Sequence, residues 1–123
     1  MMSVNEQDEN RCKGDEDTVP SIEPVELQRE LKGRNPPFLL DVREPDECSA
    51  GMIDGAVNIP LGDLGLRLDE LPRDRSIVTY CHSGMRSARA AEFLASKGYG
   101  DVTNLRGGVK AWAAEVDPSF AVG

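Results

Sequence analysis

The sequence predicts an α/β domain, a mostly parallel sheet with helices on both faces, and three observations carry that prediction. Phe38-Leu39-Leu40-Asp41-Val42, Ala56-Val57-Asn58-Ile59, Ile77-Val78-Thr79-Tyr80 and Val102-Thr103-Asn104-Leu105 are short β-rich runs. The first is too continuous for a half-exposed strand and too short for a helix, which suggests a strand covered on both faces. Helical patterns bounded by Gly or Pro alternate with these runs, and strands separated by helices call for crossover connections and parallel pairing. The third run stops at Cys81, and in open parallel sheets ligands bind outside the carboxyl ends of the strands.

The elements follow in chain order. Pro24 stands at a first helical position, Leu27 and Leu31 lie one turn apart, and Gly33 is a stop, so the first helix spans residues 24 to 32. Pro36-Pro37 then separates it from the first of the four strands. Leu61, Leu64, Leu68 and Leu71 fall at steps of three, four and three, one face of a helix that Pro72 ends. Ala90, Phe93 and Leu94 mark the face of the next helix, with Gly98 as its cap. A last short helix starts near Gly108 and includes Trp112.

The 123 residues fit one domain, with 39% hydrophobic and 29% charged residues. No apolar run approaches the roughly 20 residues of a membrane helix. Residues 1 to 17 carry six acidic and two basic side chains and almost nothing to bury, which predicts a disordered acidic tail or linker ahead of a domain at 18–123. The leading stretch lacks the apolar centre of a secretory signal, so a cytoplasmic location is expected. The net charge of -8 argues against a nucleic-acid partner, which would need clustered Lys and Arg. Cys12, Cys48 and Cys81 are odd in number and lack the paired spacings of a zinc site, so neither a metal nor another cofactor is expected and one thiol at least is free.

Cys81-His82-Ser83-Gly84-Met85-Arg86-Ser87 joins a strand to a helix. In such a unit the loop N–H groups and the first unpaired N–H groups of the helix converge on one point, where the helix dipole adds positive charge. A cysteine held there ionises readily: thiols at helix N-termini near Arg have pKa values of about 3.5 to 7.5, against about 8.5 when free. Gly84 removes a Cβ that would block the backbone's approach, and Arg86 supplies a cation. The plain alternative for Cys81 is a small inert core residue, which the whole loop pattern outweighs. His82 either activates the thiol or simply faces solvent. Ser83 and Ser87 are candidate donors to a bound anion, and Ser87 serves equally well as a helix cap.

These motifs resemble the single-domain rhodanese-like sulfurtransferases over about Thr18 to Ser119. The likeness is carried by Leu39-Leu40-Asp41-Val42-Arg43-Glu44, by Gly51-Met52-Ile53-Asp54-Gly55-Ala56-Val57-Asn58-Ile59-Pro60, by the Cys81 loop, and by Leu105-Arg106-Gly107-Gly108-Val109 with Trp112. The resemblance implies a five-stranded sheet, with an extra strand near Pro20 to Ile22. It implies that Cys81 takes the outer sulfur from a donor such as thiosulfate and holds it as a persulfide until a thiol, cyanide or protein acceptor removes it. Backbone N–H groups from His82 to Arg86, through Ser83, Gly84 and Met85, would cradle that sulfur, and Arg86 would orient an anionic donor.

Two further readings sit on the same fold. Phosphatases and arsenate reductases place five residues between cysteine and arginine, where this chain has four. A binding or regulatory module without turnover usually lacks the cysteine. Asp41 and Arg43 are expected to hold loops together, Arg106-Gly107-Gly108 to form a turn bordering the pocket, and Cys48 to be either a partly buried helix residue or a second thiol for the persulfide. Met52 stands where relatives commonly have histidine, which leaves no role to assign there. The segment from Gly107 to Phe120 is similar to the end of rhodanese domains fused to adenylylating enzymes, which implies a ubiquitin-like sulfur carrier as a partner.

Overall fold

The computed structural model describes residues 19–121, so the acidic tail expected at 1–17, with Cys12, lies outside the described residues. Five strands form one sheet: β1 (Ser21–Ile22), β2 (Phe38–Asp41), β3 (Val57–Asn58), β4 (Ile77–Tyr80) and β5 (Val102–Leu105). Their order is β1-β5-β4-β2-β3, and every pairing is parallel. Between them run α1 (Pro24–Leu31), α2 (Pro45–Cys48), α3 (Met85–Ser96) and α4 (Gly108–Glu115).

Strand alternation divides the core between the two sheet faces. Leu40, Ile77 and Val102 pack with Leu64, Ala90, Ala91 and Leu94 on one side. Leu39, Val78, Tyr80 and Leu105 pack with Leu27, Val109 and Trp112 on the other. All of these side chains are buried, which explains why the strands read as continuous apolar runs. The α/β architecture with helices on both faces is as the sequence predicts.

One element differs in kind. Leu61, Leu64, Leu68 and Leu71 do turn inward, yet the first three sit on two short 3₁₀ helices, Leu61–Leu66 and Leu68–Glu70, and Leu71 follows the second in extended conformation. The bonds there span three residues, from Asp63 N to Pro60 O (2.8 Å) and from Leu71 N to Leu68 O (3.0 Å). Gly62 and Gly65 lower the helix propensity of the segment, and Arg67, at φ -123° and ψ 22°, interrupts it.

The central strand β4 lies between β2 and β5 and is buried throughout, so the residue after it emerges from the middle of the sheet. That residue is Cys81. Among the described residues, the buried polar side chains are Asp41, Arg43, Thr79, Ser87 and Asn104. Each lies in, or just beyond, the carboxyl half of a central strand or in the first turn of α3, and among the described residues no buried side-chain nitrogen or oxygen lacks a partner.

Candidate active site around Cys81

The Cys81 loop turns from β4 into α3 through Gly84, whose φ of 107° lies in the left-handed region. A side chain there would be strained and would meet Gly107 N at 3.4 Å. The turn folds the start of α3 back over the thiol. Gly84 N donates to Cys81 Sγ at 3.1 Å, and Ser87 donates from its N–H and its hydroxyl, each at 3.4 Å. Cys81 is 1% exposed, and burial pushes its thiol pKa up. The hydrogen bonds from Ser87, Gly84 and Ser83 outweigh burial and leave it below the ordinary value.

The loop is clamped from both sides of the sheet. Thr79 Oγ1 donates to Ser87 O (2.9 Å), and Asn104, on β5, bridges the loop by accepting from Ser87 Oγ (2.6 Å) and donating to Gly84 O (3.3 Å). The one hydroxyl hydrogen of Ser87 therefore has two acceptors, Asn104 Oδ1 and the sulfur. From the other side, Val109 N donates to Cys81 O (2.9 Å) and Lys110 N to His82 O (3.1 Å). Gly108, at φ 60°, makes that approach possible, because a Cβ would collide with Cys81 O and His82 O. The turn at Arg106-Gly107-Gly108 thus borders the Cys81 loop.

Arg86 is held in a two-point ion pair with Glu47 of α2, with NH1 to Oε1 at 2.6 Å and NH2 to Oε2 at 2.8 Å. Glu47 Oε1 also accepts from Glu44 N (2.8 Å). The hydrogen bond from Arg86 draws the Glu47 carboxyl down to about 2, burial opposing it. The expected loop cation is present, with a fixed counter-charge beside it.

Behind this pair, Asp41 and Arg43 form a fully buried salt bridge, with Arg43 NH2 to Asp41 Oδ2 at 2.7 Å. Arg43 also donates to Glu47 O (3.4 Å) and Gly51 O (2.8 Å), so it ties α2 to the end of β2. The two residues hold loops together, as the sequence suggests. Cys48 donates its thiol hydrogen to Asp41 Oδ2 at 3.5 Å, and burial, with Asp41 beside it, pushes its pKa up to about 11. It is a half-buried helix residue.

The five residues from His82 to Arg86 form one contiguous loop after Cys81, of which Gly84 N donates to the thiol, and their exposure differs. Gly84 is buried, His82 and Arg86 are half-buried, and Ser83 and Met85 face solvent. Among the described residues the His82 ring makes no hydrogen bond, and only its carbonyl is engaged. Ser87 is the third residue of α3 and its side chain points to Cys81 and Asn104, so the capping alternative for it does not hold. Sequence reading did not name Thr79, Asn104 or Glu47 for the site. A polar residue inside a buried strand was the available signal for the first two. Met52 lies apart, lining a cleft with Ile53, Trp112 and Phe120. Among the described residues no group of three or more His, Cys, Asp or Glu could hold a metal ion.

A parallel α/β sheet with a buried cysteine under N–H donors in its central strand-to-helix turn is the arrangement the chain presents. Residues 23–115 match the rhodanese-like domain family, and the chain belongs to it. It is similar to a sulfurtransferase of Allochromatium vinosum, 42% identical over 84% of this chain and 96% of that protein. It is also 39% identical to the probable adenylyltransferase/sulfurtransferase MoeZ of Mycobacterium tuberculosis, over 83% of this chain and 26% of that one. The crystal structure of a rhodanese-like domain protein from Staphylococcus aureus superposes with a TM-score of 0.75 at 30% identity, covering 85% of this chain and 99% of that one. The family and its sulfurtransferase relatives make this an enzyme of rhodanese type, acting in sulfur transfer.

Proposed function

We propose that the protein moves a sulfane sulfur from a small donor such as thiosulfate to a nucleophilic acceptor through a persulfide on Cys81. The observation that carries this reading is the convergence of Gly84 N–H, Ser87 N–H and Ser87 O–H on a buried Cys81 Sγ. These donors favour the thiolate, the attacking species. The thiolate bonds to the outer sulfur of thiosulfate as the sulfur–sulfur bond of the donor breaks, and sulfite leaves with the bonding pair. The acceptor then attacks the outer sulfur of the persulfide and returns Cys81 as thiolate.

Negative charge thus resides on the outer sulfur between the half-reactions, and the N–H groups of the loop from His82 through Ser83, Gly84, Met85 and Arg86 are its natural ligands. Arg86 spends two of its five N–H hydrogens on Glu47 and keeps three with which to orient donor or acceptor. A loop of four residues between Cys81 and Arg86 closes on a single atom, which suits sulfur better than a tetrahedral phosphate or arsenate. The likeness to MoeZ supports a protein acceptor, a ubiquitin-like sulfur carrier, beside small thiols and cyanide. Free thiol chemistry fits a cytoplasmic location. Among the described residues no helix is long and apolar enough to cross a membrane.

Intact-mass measurement after incubation with thiosulfate is the direct test. Gain of one sulfur, localised to Cys81 and lost on adding cyanide, is the expected result. Hydrolysis of an aryl phosphate with no sulfur adduct would replace this reading with phosphatase chemistry, and neither reaction would leave a binding module.

A further inference from the structure

We infer that Glu47 sets donor choice, and that the donor class the site favours is the low-charge alkyl persulfide over the thiosulfate dianion. This rests on the sulfur-transfer reading above and concerns which molecule fills the donor role. The cation of the Cys81 loop is Arg86, and the Glu47 carboxylate neutralises it through two hydrogen bonds of 2.6 and 2.8 Å. Glu47 cannot swing away at little cost. Its Oε1 also accepts the Glu44 N–H at 2.8 Å, and its own carbonyl accepts from Arg43 at 3.4 Å, so side chain and backbone are both tied down.

Its carboxyl is held down to about 2, so the charge persists across the physiological pH range. Glu44, the exposed residue that opens α2, lies close enough to act on Arg86 as well. With the attacking Cys81 thiolate counted, these groups carry three negative charges and one positive, and Lys110, which lines a cleft with Ser83, adds a second cation on the far side of the loop, so the balance stays negative. Arg43 is also cationic, but it is fully buried and paired with Asp41. A donor bearing two negative charges enters against that balance, while the loop N–H groups serve any outer sulfur equally.

An alkyl persulfide RSSH meets the same sulfur pocket with less charge. The Cys81 thiolate bonds to its outer sulfur, the donor's sulfur–sulfur bond breaks, and RS⁻ leaves with the bonding pair. The proton of the outer sulfur passes to RS⁻, giving RSH and the Cys81 persulfide anion. The transferred sulfur keeps its oxidation level, so no further oxidant or reductant enters.

The test is the ratio of kcat/KM for two probes, hydroxyethyl persulfide and thiosulfate, followed by sulfur loading of Cys81 in the full chain and in Glu47→Gln. Gln keeps the shape and removes the charge. The native chain is expected to favour the persulfide by at least about tenfold, and Glu47→Gln to shift the ratio toward thiosulfate by about three- to tenfold. A second measurement needs no variant: added salt should raise the native rate with thiosulfate more than the rate with the persulfide, because it screens repulsion. An unchanged ratio in a folded Glu47→Gln, a shift toward persulfide, or a native preference for thiosulfate overturns the inference while sulfur transfer stands. Loading from neither probe would sink the sulfur-transfer reading itself.

Discussion

Cys81 and Cys48 are the same side chain in two burial settings with opposite outcomes. Cys81 lies beneath a turn from which Gly84 N–H, Ser87 N–H and the Ser87 hydroxyl donate to sulfur, so burial is overcome and its pKa falls. Cys48 ends α2, where the nearest partner is the Asp41 carboxylate, an acceptor that demands the thiol hydrogen. There burial and a like charge act together and push the pKa up to about 11. Which kind of group faces the sulfur decides reactivity, and backbone direction decides which kind of group that is. A helix N-terminus offers donors.

The sharpest way to break this comparison is to remove each thiol in turn. Cys81→Ser is expected to abolish sulfur loading and turnover, while Cys48→Ser keeps most of both, as read by cyanide-dependent turnover and intact mass. Substantial turnover in Cys81→Ser would show that the donor geometry around Cys81 has no catalytic meaning.

Next in size is the charge that separates the two cysteine environments. Arg86→Ala is expected to lower kcat/KM for thiosulfate by about 10- to 150-fold, the range of a lost charge-assisted contact worth about 1.5–3 kcal/mol. Part of that loss comes from Glu47, left beside the loop without its partner. The double variant Arg86→Ala/Glu47→Ala should therefore recover some of it. A double variant no better than Arg86→Ala would assign the whole loss to the missing cation.

What could be read from sequence follows chain continuity. Cys81 through Arg86 lie in one segment, so the strand-to-helix loop was legible from residue order. Asn104 and Glu47 reach the same site from β5 and α2, and only the folded sheet brings them there. Asn104 left a trace as a polar residue in an apolar strand. Glu47 left none, since Glu44-Pro45-Asp46-Glu47 reads as an ordinary helix start and its capping pattern is indeed formed. Among the elements, β1 has two residues and too little pattern to be seen without the family likeness. The Leu61 to Leu71 spacing gave the buried face correctly but not the helix type, because steps of three and four fit both helices once glycines weaken the α form.

The smallest of these effects concerns a single hydrogen. Ser87 donates its hydroxyl hydrogen either to Cys81 Sγ at 3.4 Å or to Asn104 Oδ1 at 2.6 Å, and a charged sulfur is the stronger claimant. Cys81 is an acid whose folded pKa is depressed, so its thiolate fraction grows as pH rises through that value. Ser87→Ala removes one donor, raises the pKa and reduces the thiolate present at a fixed pH below it. Alkylation of Cys81 at a fixed pH below that value should slow by up to about tenfold, in line with one hydrogen bond to a charged group. Ser87→Thr, which restores the hydroxyl, should restore the rate. Cys48 is the internal control in the same sample, since its labelling should rise only as pH nears about 11 whichever residue stands at 87. An unchanged rate in Ser87→Ala would mean that the backbone N–H groups of Gly84 and Ser87 suffice for the thiolate, and the hydroxyl would then belong to Asn104 and the architecture of the loop.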